Sequence, residues 1–297
     1  MEKKRYTPPE ISREELQRQL FEANLSLQSA NERLQEEQRQ RTALFANLSH
    51  DLRAPITALS NAVEYLKTGQ PAGEEREEIL NLMEKRVSFL KRLVEDMFLL
   101  AKMENGDTPL HLRRVDAGAF LEEYFYSCQA DPYYADRVLQ LELPEELDAA
   151  LCIDPELMVR VLDNLFTNAR KYSKAGDSIT LSACKGEGYL EITVADTGVG
   201  ISPEALPHIF ERSYRASSAR TPADGSSGLG LSIVQKILER HGGTIRCQST
   251  PQKGSQFTFT LPITSNRTAQ RKPPPPRKEE SRSTFWAVRF VLVGEGY

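Results

Sequence analysis

From Leu16 to Leu48, apolar residues recur at alternating intervals of four and three: Leu16, Leu20, Ala23, Leu27, Ala30, Leu34, then, past polar Glu37 and Arg41, Leu44 and Leu48. This heptad seam, set among Glu, Gln, Arg and Asn, predicts a long helix with one narrow apolar stripe that only another helix can cover, most simply in a parallel dimer. The stripe runs on through Leu52, Ile56, Leu59, Val63 and Leu66, with consecutive steps of four from Leu44 to Ile56 that amount to a stutter. His50 falls midway between Leu48 and Leu52, about 200° round the helix from each, and is expected to point to solvent. Pro55 removes one helical donor, so a bend is expected just after His50. The Gly and Pro content of Lys67–Gly73 predicts a turn, and Glu74 to Met103 again reads as helix, with a stripe of Ile79, Met83, Val87, Leu90, Val94, Met97 and Ala101. Two such hairpins would close as a four-helix bundle.

After a boundary at Glu104–Thr108 the pattern becomes mixed. Leu110–Val115 and Val138–Leu143 alternate as strands around a helix at Ala117–Cys128. Asp154-Pro155 is an N-cap followed by a first-turn proline and opens a helix to about Tyr172. Ile179–Cys184 and Tyr189–Val194 read as a hairpin, Leu229–His241 as a helix closed by Gly242-Gly243, and Thr244–Cys247 and Gln256–Leu261 as strands. The fold class is therefore multidomain: an all-α dimerisation hairpin followed by an α+β sandwich with its helices on one face of a largely antiparallel sheet. Four segments are expected: a coiled-coil lead-in at 1–43, the hairpin at 44–104, the α+β domain at 109–264, and an extended, disordered Pro/basic-rich tail at 265–297.

Composition narrows the function classes. The 297 residues suffice for two cores, and a net charge of -4 gives no global basic field for nucleic acid. Cys128, Cys152, Cys184 and Cys247 are scattered without metal-ligand spacing and read as reduced core thiols of a cytoplasmic protein. No apolar run approaches the length of a membrane span, and the start of the chain lacks the pattern of a signal peptide.

Three segments carry candidate chemistry. Asn164, Asn168 and Lys171 share one helix face opposite Met158, Leu162, Leu165, Phe166 and Ala169. Carboxamide oxygen suits Mg²⁺ that keeps water and phosphate ligands, and lysine suits phosphate, although a solvated helix face has the same pattern. Asp196-Thr-Gly-Val-Gly200 follows a strand, where its glycines would let a base or sugar approach and its carboxylate could accept from an exocyclic amine. Gly225–Leu231 opens a helix whose free N–H groups suit a polyphosphate. Between them, residues 210–224 have the composition of a lid carrying Arg212, Arg215 and Arg220.

In order and spacing these pieces resemble the two-component sensor histidine kinases. Ser49-His50-Asp51-Leu52-Arg53 with Pro55 matches the phosphoacceptor box, and Asn164-Leu165, Asn168-Ala169 and Lys171 match the asparagine box. Asp196, Gly198 and Gly200 match the first glycine box, Phe210 the phenylalanine box, and Gly228-Leu229-Gly230-Leu231 the second glycine box. The resemblance spans about Leu44 to Leu261 and implies a phosphotransfer hairpin followed by a Bergerat-type ATP-binding domain. It further implies His50 as the nucleophile towards ATP and Asp51 as its general base. Asn168 would hold Mg²⁺, supported by Asn164, while Lys171 and Arg215 contact phosphates and Asp196 reads the adenine amine. Tyr172, Gly198, Gly200, Gly228, Leu229 and Gly230 would complete the ATP site. A homodimer and the receiver domain of a response regulator are the implied partners. Three positions depart from the pattern: Ala54 stands where many relatives with phosphatase activity carry Thr or Asn, Ser213 replaces a lid aromatic, and Ser226 replaces a frequent glycine. A dimeric scaffold that binds ATP as a conformational switch and an ATPase clamp are the rival readings. The intact His50, Asn168 and Asp196 weigh against the first, and the upstream His50 helix against the second.

Overall fold

The computed structural model describes residues 13–69, 71–104, 109–145, 147–212, 214 and 228–264. Helix α1 (Arg13–Thr68) is built from strong helix formers, so the lead-in and the first hairpin helix form one continuous element of 56 residues. It passes through Pro55 without interruption, and Pro55 is buried. The side chains of His50 and Asp51, and of Leu16, Leu34, Leu44 and Leu48 in the seam, lie outside the described residues, as does the expected outward direction of His50. The turn is shorter than expected because the helix continues through Thr68. The Gly69 N–H still bonds the Tyr65 carbonyl at 2.8 Å, and Tyr65 Oη donates across the turn to Glu75 Oε1 at 2.7 Å. Helix α2 (Glu74–Glu104) then begins with Glu74, Glu75 and Glu77 at the positive end of its dipole.

The expected stripe of α2 is only part of its apolar surface. Leu93, Leu100 and Met103 are buried in the same core as the α+β domain, whereas Val87 and Val94 of the expected stripe are 54% and 56% exposed. On α1, Ile56 and Val63 are likewise exposed. Two apolar faces exist because α2 meets α1 and the α+β domain within the chain, and a further stripe is left over.

The α+β domain starts with β1 (Arg113–Asp116), later than the expected Leu110 because residues 109–112 find no strand partner. It continues with α3 (Ala117–Gln129), β2 (Val138–Glu142), β3 (Ala150–Ile153), α4 (Pro155–Lys171), β4 (Ser178–Lys185), β5 (Tyr189–Asp196), α5 (Gly230–Arg240), β6 (Thr244–Thr250) and β7 (Gly254–Pro262). Strand β3, which the pattern did not predict, pairs antiparallel with β1. The main sheet has the order β2-β4-β5-β7-β6, and only β2-β4 is parallel. Its register stacks one apolar row, Leu181, Val194 and Phe257, beside another, Ala183, Ile192 and Phe259. Leu162, Leu165, Phe166, Ile233, Val234 and Ile237 from α4 and α5 close this face completely. The helices thus lie on one side of a largely antiparallel sheet.

Buried His241 fixes the far end of the α4-α5 pair. Its Nδ1 faces the Ile237 carbonyl at 2.7 Å and donates, so Nε2 accepts the Asp154 N–H at 3.0 Å. Two of the expected core thiols, Cys152 and Cys184, are exposed, because they stand on the outer face of β3 and near the end of β4; Cys128 is buried. No helix among the described residues is long and apolar enough to cross a membrane.

Candidate functional site

Helix α4 is set in rotation by both of its faces. Asp154 caps it, accepting the Leu157 N–H at 3.3 Å, and Pro155 occupies the first turn where its missing donor is not needed. Met158, Leu162, Leu165, Phe166 and Ala169 enter the core. Fully buried Tyr124 of α3 donates to Asp163 Oδ1 at 2.9 Å, and burial together with that carboxylate holds its phenol far above the ordinary range, so it remains a donor. Asn164, Asn168 and Lys171 are consequently left half-buried on the opposite side.

Asn164 meets the start of α5. Its Nδ2 donates to the Arg160 carbonyl at 2.9 Å, and Oδ1 stands 2.5 Å from where a Cβ on Gly230 would sit. Any side chain at Gly230 would close this gap. Gly228 has φ 68°, a left-handed value that turns the chain into α5, and Leu229 is fully buried beneath it. Leu229, at the N-cap position of α5, makes no side-chain cap hydrogen bond, and the helix opens at Gly230 directly against Asn164. No group of three or more His, Cys, Asp or Glu that could hold a metal occurs among the described residues. A divalent ion here would take carboxamide oxygen, water and phosphate, and among the described residues no hydrogen bond is donated to Asn164 Oδ1.

The segment Thr197–Gly200 follows β5, and its glycines meet backbone of the chain itself. A Cβ on Gly198 would lie 2.1 Å from the Tyr172 carbonyl oxygen, and one on Gly200 2.2 Å from that of Thr250. These glycines admit the chain's own backbone. The Val199 N–H donates to the Tyr172 carbonyl at 2.9 Å, and the Gln252 N–H to the Val199 carbonyl at 2.8 Å. Asp196 is buried, its Oδ1 accepting the Gly198 N–H at 2.9 Å. Burial raises its pKa above the usual carboxylate range, opposed by hydrogen bonds from the Gly198 and Ser255 backbones. Burial also pushes the Cys247 thiol up to about 12, and the Asp196 charge adds to this.

The structure brings Asn164 to Gly230, and Tyr172 to Gly198 and Asp196. Lys171 lies over the Tyr172 ring at 5.0 Å. Phe210 packs on the core, and Tyr214 lies against His208 with ring centroids 5.5 Å apart. Ser213, Arg215, Arg220, Gly225 and Ser226 lie outside the described residues. One link escaped sequence reasoning: Arg160, one turn before Asn164, donates to Asp96 of α2. Burial raises the Asp96 pKa, although Arg160 and Arg92 oppose this. The nucleotide-type helix and the hairpin are thus joined by an ion pair between residues that belong to no motif.

Two family models match in tandem: the His Kinase A (phospho-acceptor) domain over residues 40–106, and the histidine kinase-, DNA gyrase B- and HSP90-like ATPase over residues 153–265. The sensor protein kinase WalK of Staphylococcus saprophyticus is 33% identical over 231 residues, which is 77% of this chain and 37% of that relative's length. The Acinetobacter baumannii histidine kinase AdeS superposes with a TM-score of 0.59 at 25% identity, covering 73% of this chain and 98% of that one. The histidine kinase ThkA, solved in complex with the response regulator protein TrrA, shares the fold with a TM-score of 0.61 at 22% identity, covering 78% of this chain and 66% of that one.

Proposed function

The chain belongs to the two-component sensor histidine kinases, and on that premise we propose that it is an ATP-dependent protein-histidine kinase acting as a homodimer. The observation that supports this reading is the meeting of Asn164 with the start of α5 at Gly230, an arrangement suited to a polyphosphate. We assign residues 44–104 to dimerisation and phosphotransfer and 109–264 to ATP binding.

In this reading Asp196 accepts from the adenine amine, and the Gly198–Gly200 turn lies along the base. Asn164, Asn168, Lys171, Arg215 and the N–H groups at Gly228–Gly230 hold the phosphates. Mg²⁺, when bound, neutralises charge on the phosphates, and Asn168 would hold it with Asn164 in support. The neutral His50 imidazole attacks the γ-phosphorus through Nε2. An N–P bond forms as the bond to the bridging oxygen breaks, ADP leaves with that electron pair, and the Nδ1 proton passes to Asp51. The phosphoryl group then moves to an aspartate of a response-regulator receiver domain, which regenerates neutral His50. The ThkA–TrrA complex supports that class of partner. Ala54 supplies no polar side chain to orient water near His50, which favours phosphotransfer over dephosphorylation of the regulator.

Surplus apolar surface supports the dimer. Ile56 and Val63 of α1 and Val87, Val94 and Phe98 of α2 are all exposed in the single chain. A second hairpin would bury them.

Incubation with Mg²⁺ and γ-labelled ATP tests the reading. Acid-labile label on the wild type and none on His50→Ala is the expected result. An unlabelled wild type, or label that persists in His50→Ala, would overturn it.

A further inference from the structure

Beside Asp196 the sheet carries a row of polar residues that belongs to none of the motifs. Across the strands, Ile179 of β4 pairs with Asp196 of β5, Asp196 with Ser255 of β7, and Ser255 with Ser249 of β6. The preceding row, Leu181, Val194, Phe257 and Cys247, belongs to the apolar core or packs against it. Ser249 therefore stands on the same face as Asp196, two strands away, where the core ends and the glycine segment begins.

Its hydroxyl is fully employed. Ser249 Oγ accepts the Ile201 N–H at 2.8 Å, donates to the Gly254 carbonyl at 2.7 Å, and lies 3.0 Å from Ser255 Oγ. With its own proton on Gly254, the contact with Ser255 is one it accepts. One hydroxyl thus ties the residue just after the glycine segment to the β6-β7 turn. That turn also holds the middle of the segment, since the Gln252 N–H bonds the Val199 carbonyl, and Gln252 takes φ 63° to do so. Gly254 completes the clamp, because a Cβ there would lie 1.9 Å from the Asp196 carbonyl oxygen.

We propose that Ser249 is a positioning residue for the nucleotide site: by holding Ile201 it fixes the Thr197–Gly200 segment before ligand arrives, and so sets affinity for an adenine nucleotide. The proposal rests on the assignment of that segment to nucleotide binding. Without the hydroxyl, the Ile201 N–H has no fixed partner, and binding must order the segment at the expense of affinity.

The test uses the full chain and ADP with Mg²⁺ in calorimetric titration, with amide hydrogen exchange at Ile201 as an independent readout. Ser249→Ala should weaken ADP about tenfold, the equivalent of one hydrogen bond, and speed exchange at Ile201. Half-saturation by ATP in autophosphorylation should rise by a similar factor while the rate at saturation holds. Ser249→Thr, which keeps the hydroxyl, should restore both, and Ser249→Cys, a poorer acceptor, should fall between. ADP affinity within about twofold of wild type in Ser249→Ala overturns the proposal. So does a lower melting temperature with unchanged affinity, since that marks a purely structural role. Failure of the wild type to bind ADP would instead remove the nucleotide site itself, and the positioning role with it.

Discussion

The helical hairpin and the α+β domain treat the same kind of residue in opposite ways. In the α+β domain the isoleucine, leucine, valine and phenylalanine side chains of the central strands β4, β5 and β7 go inside, with Phe259 and Leu261 at 0% exposure. On the hairpin, Val87 and Val94 remain 54% and 56% exposed although they belong to a regular stripe. One region completes its core within a single chain, and the other carries more apolar pattern than one chain can bury. The first can therefore hold a pre-ordered turn such as that at Asp196, while in the proposed dimer the second gains its remaining cover by association.

Perturbing each region separately should break this comparison in different places. Placing glutamate at both Val87 and Val94 puts two carboxylates where a partner helix would pack. We expect a loss of about 4 kcal/mol, or roughly a thousandfold in dimer affinity by sedimentation equilibrium, with the α+β melting transition unchanged. A variant that stays dimeric would show that the exposed stripe is not the interface. Phe259→Ala should do the converse, costing about 3 kcal/mol in denaturant unfolding of the α+β domain and leaving self-association intact.

Arg160→Ala removes the ion pair that joins the two regions. A loss of about 1–2 kcal/mol from their docking is expected, visible as faster amide exchange along α2 near Leu93 and Leu100. Unchanged exchange there would mean that apolar packing alone holds the contact.

Asp196 gives a pH-dependent contrast within the α+β domain. Its folded pKa is raised, and an unfolded aspartate ionises near about 3.9. The folded state thus holds this proton to higher pH, and its stability falls as pH rises through the raised pKa. In the proposed reading, adenine recognition by Asp196 uses the ionised acceptor and is gained over the same rise. Asp196→Asn should therefore melt higher at neutral pH while binding ADP more weakly, measured by scanning calorimetry and titration. The smallest effect concerns thiols: at mildly alkaline pH, exposed Cys152 and Cys184 should alkylate well before Cys247, whose pKa is pushed up to about 12.

Legibility in the sequence followed the same division. Strands β4, β5 and β7 alternate clearly, and α4 announces itself through Asp154-Pro155, so most of the domain could be placed from pattern and caps. Strand β3 escaped because Ala150-Leu-Cys-Ile153 has no polar alternation, and its identity as a strand comes from pairing with β1. The docking face of α2 escaped because Leu93, Leu100 and Met103 interleave with the stripe that points elsewhere. Candidate ligands such as Asn164 and Asp196 stood out by spacing. The reason for the glycines did not, since Gly198, Gly200 and Gly254 are demanded by carbonyls from distant segments. Ser249 is one serine in an alternating strand, and only the register places it in the same cross-strand row as Asp196.

The central claim is that a phosphoryl group passes from ATP to His50. Mass spectrometry of the full chain after incubation with Mg²⁺ and ATP, digested at neutral to alkaline pH so that a phosphoramidate survives, addresses it directly. The account predicts a phosphoryl adduct on the peptide containing Ser49-His50-Asp51, assigned to His50 and absent from Asn168→Ala. An adduct on any other residue, or an unmodified His50 peptide from a sample shown to bind ATP, would contradict it.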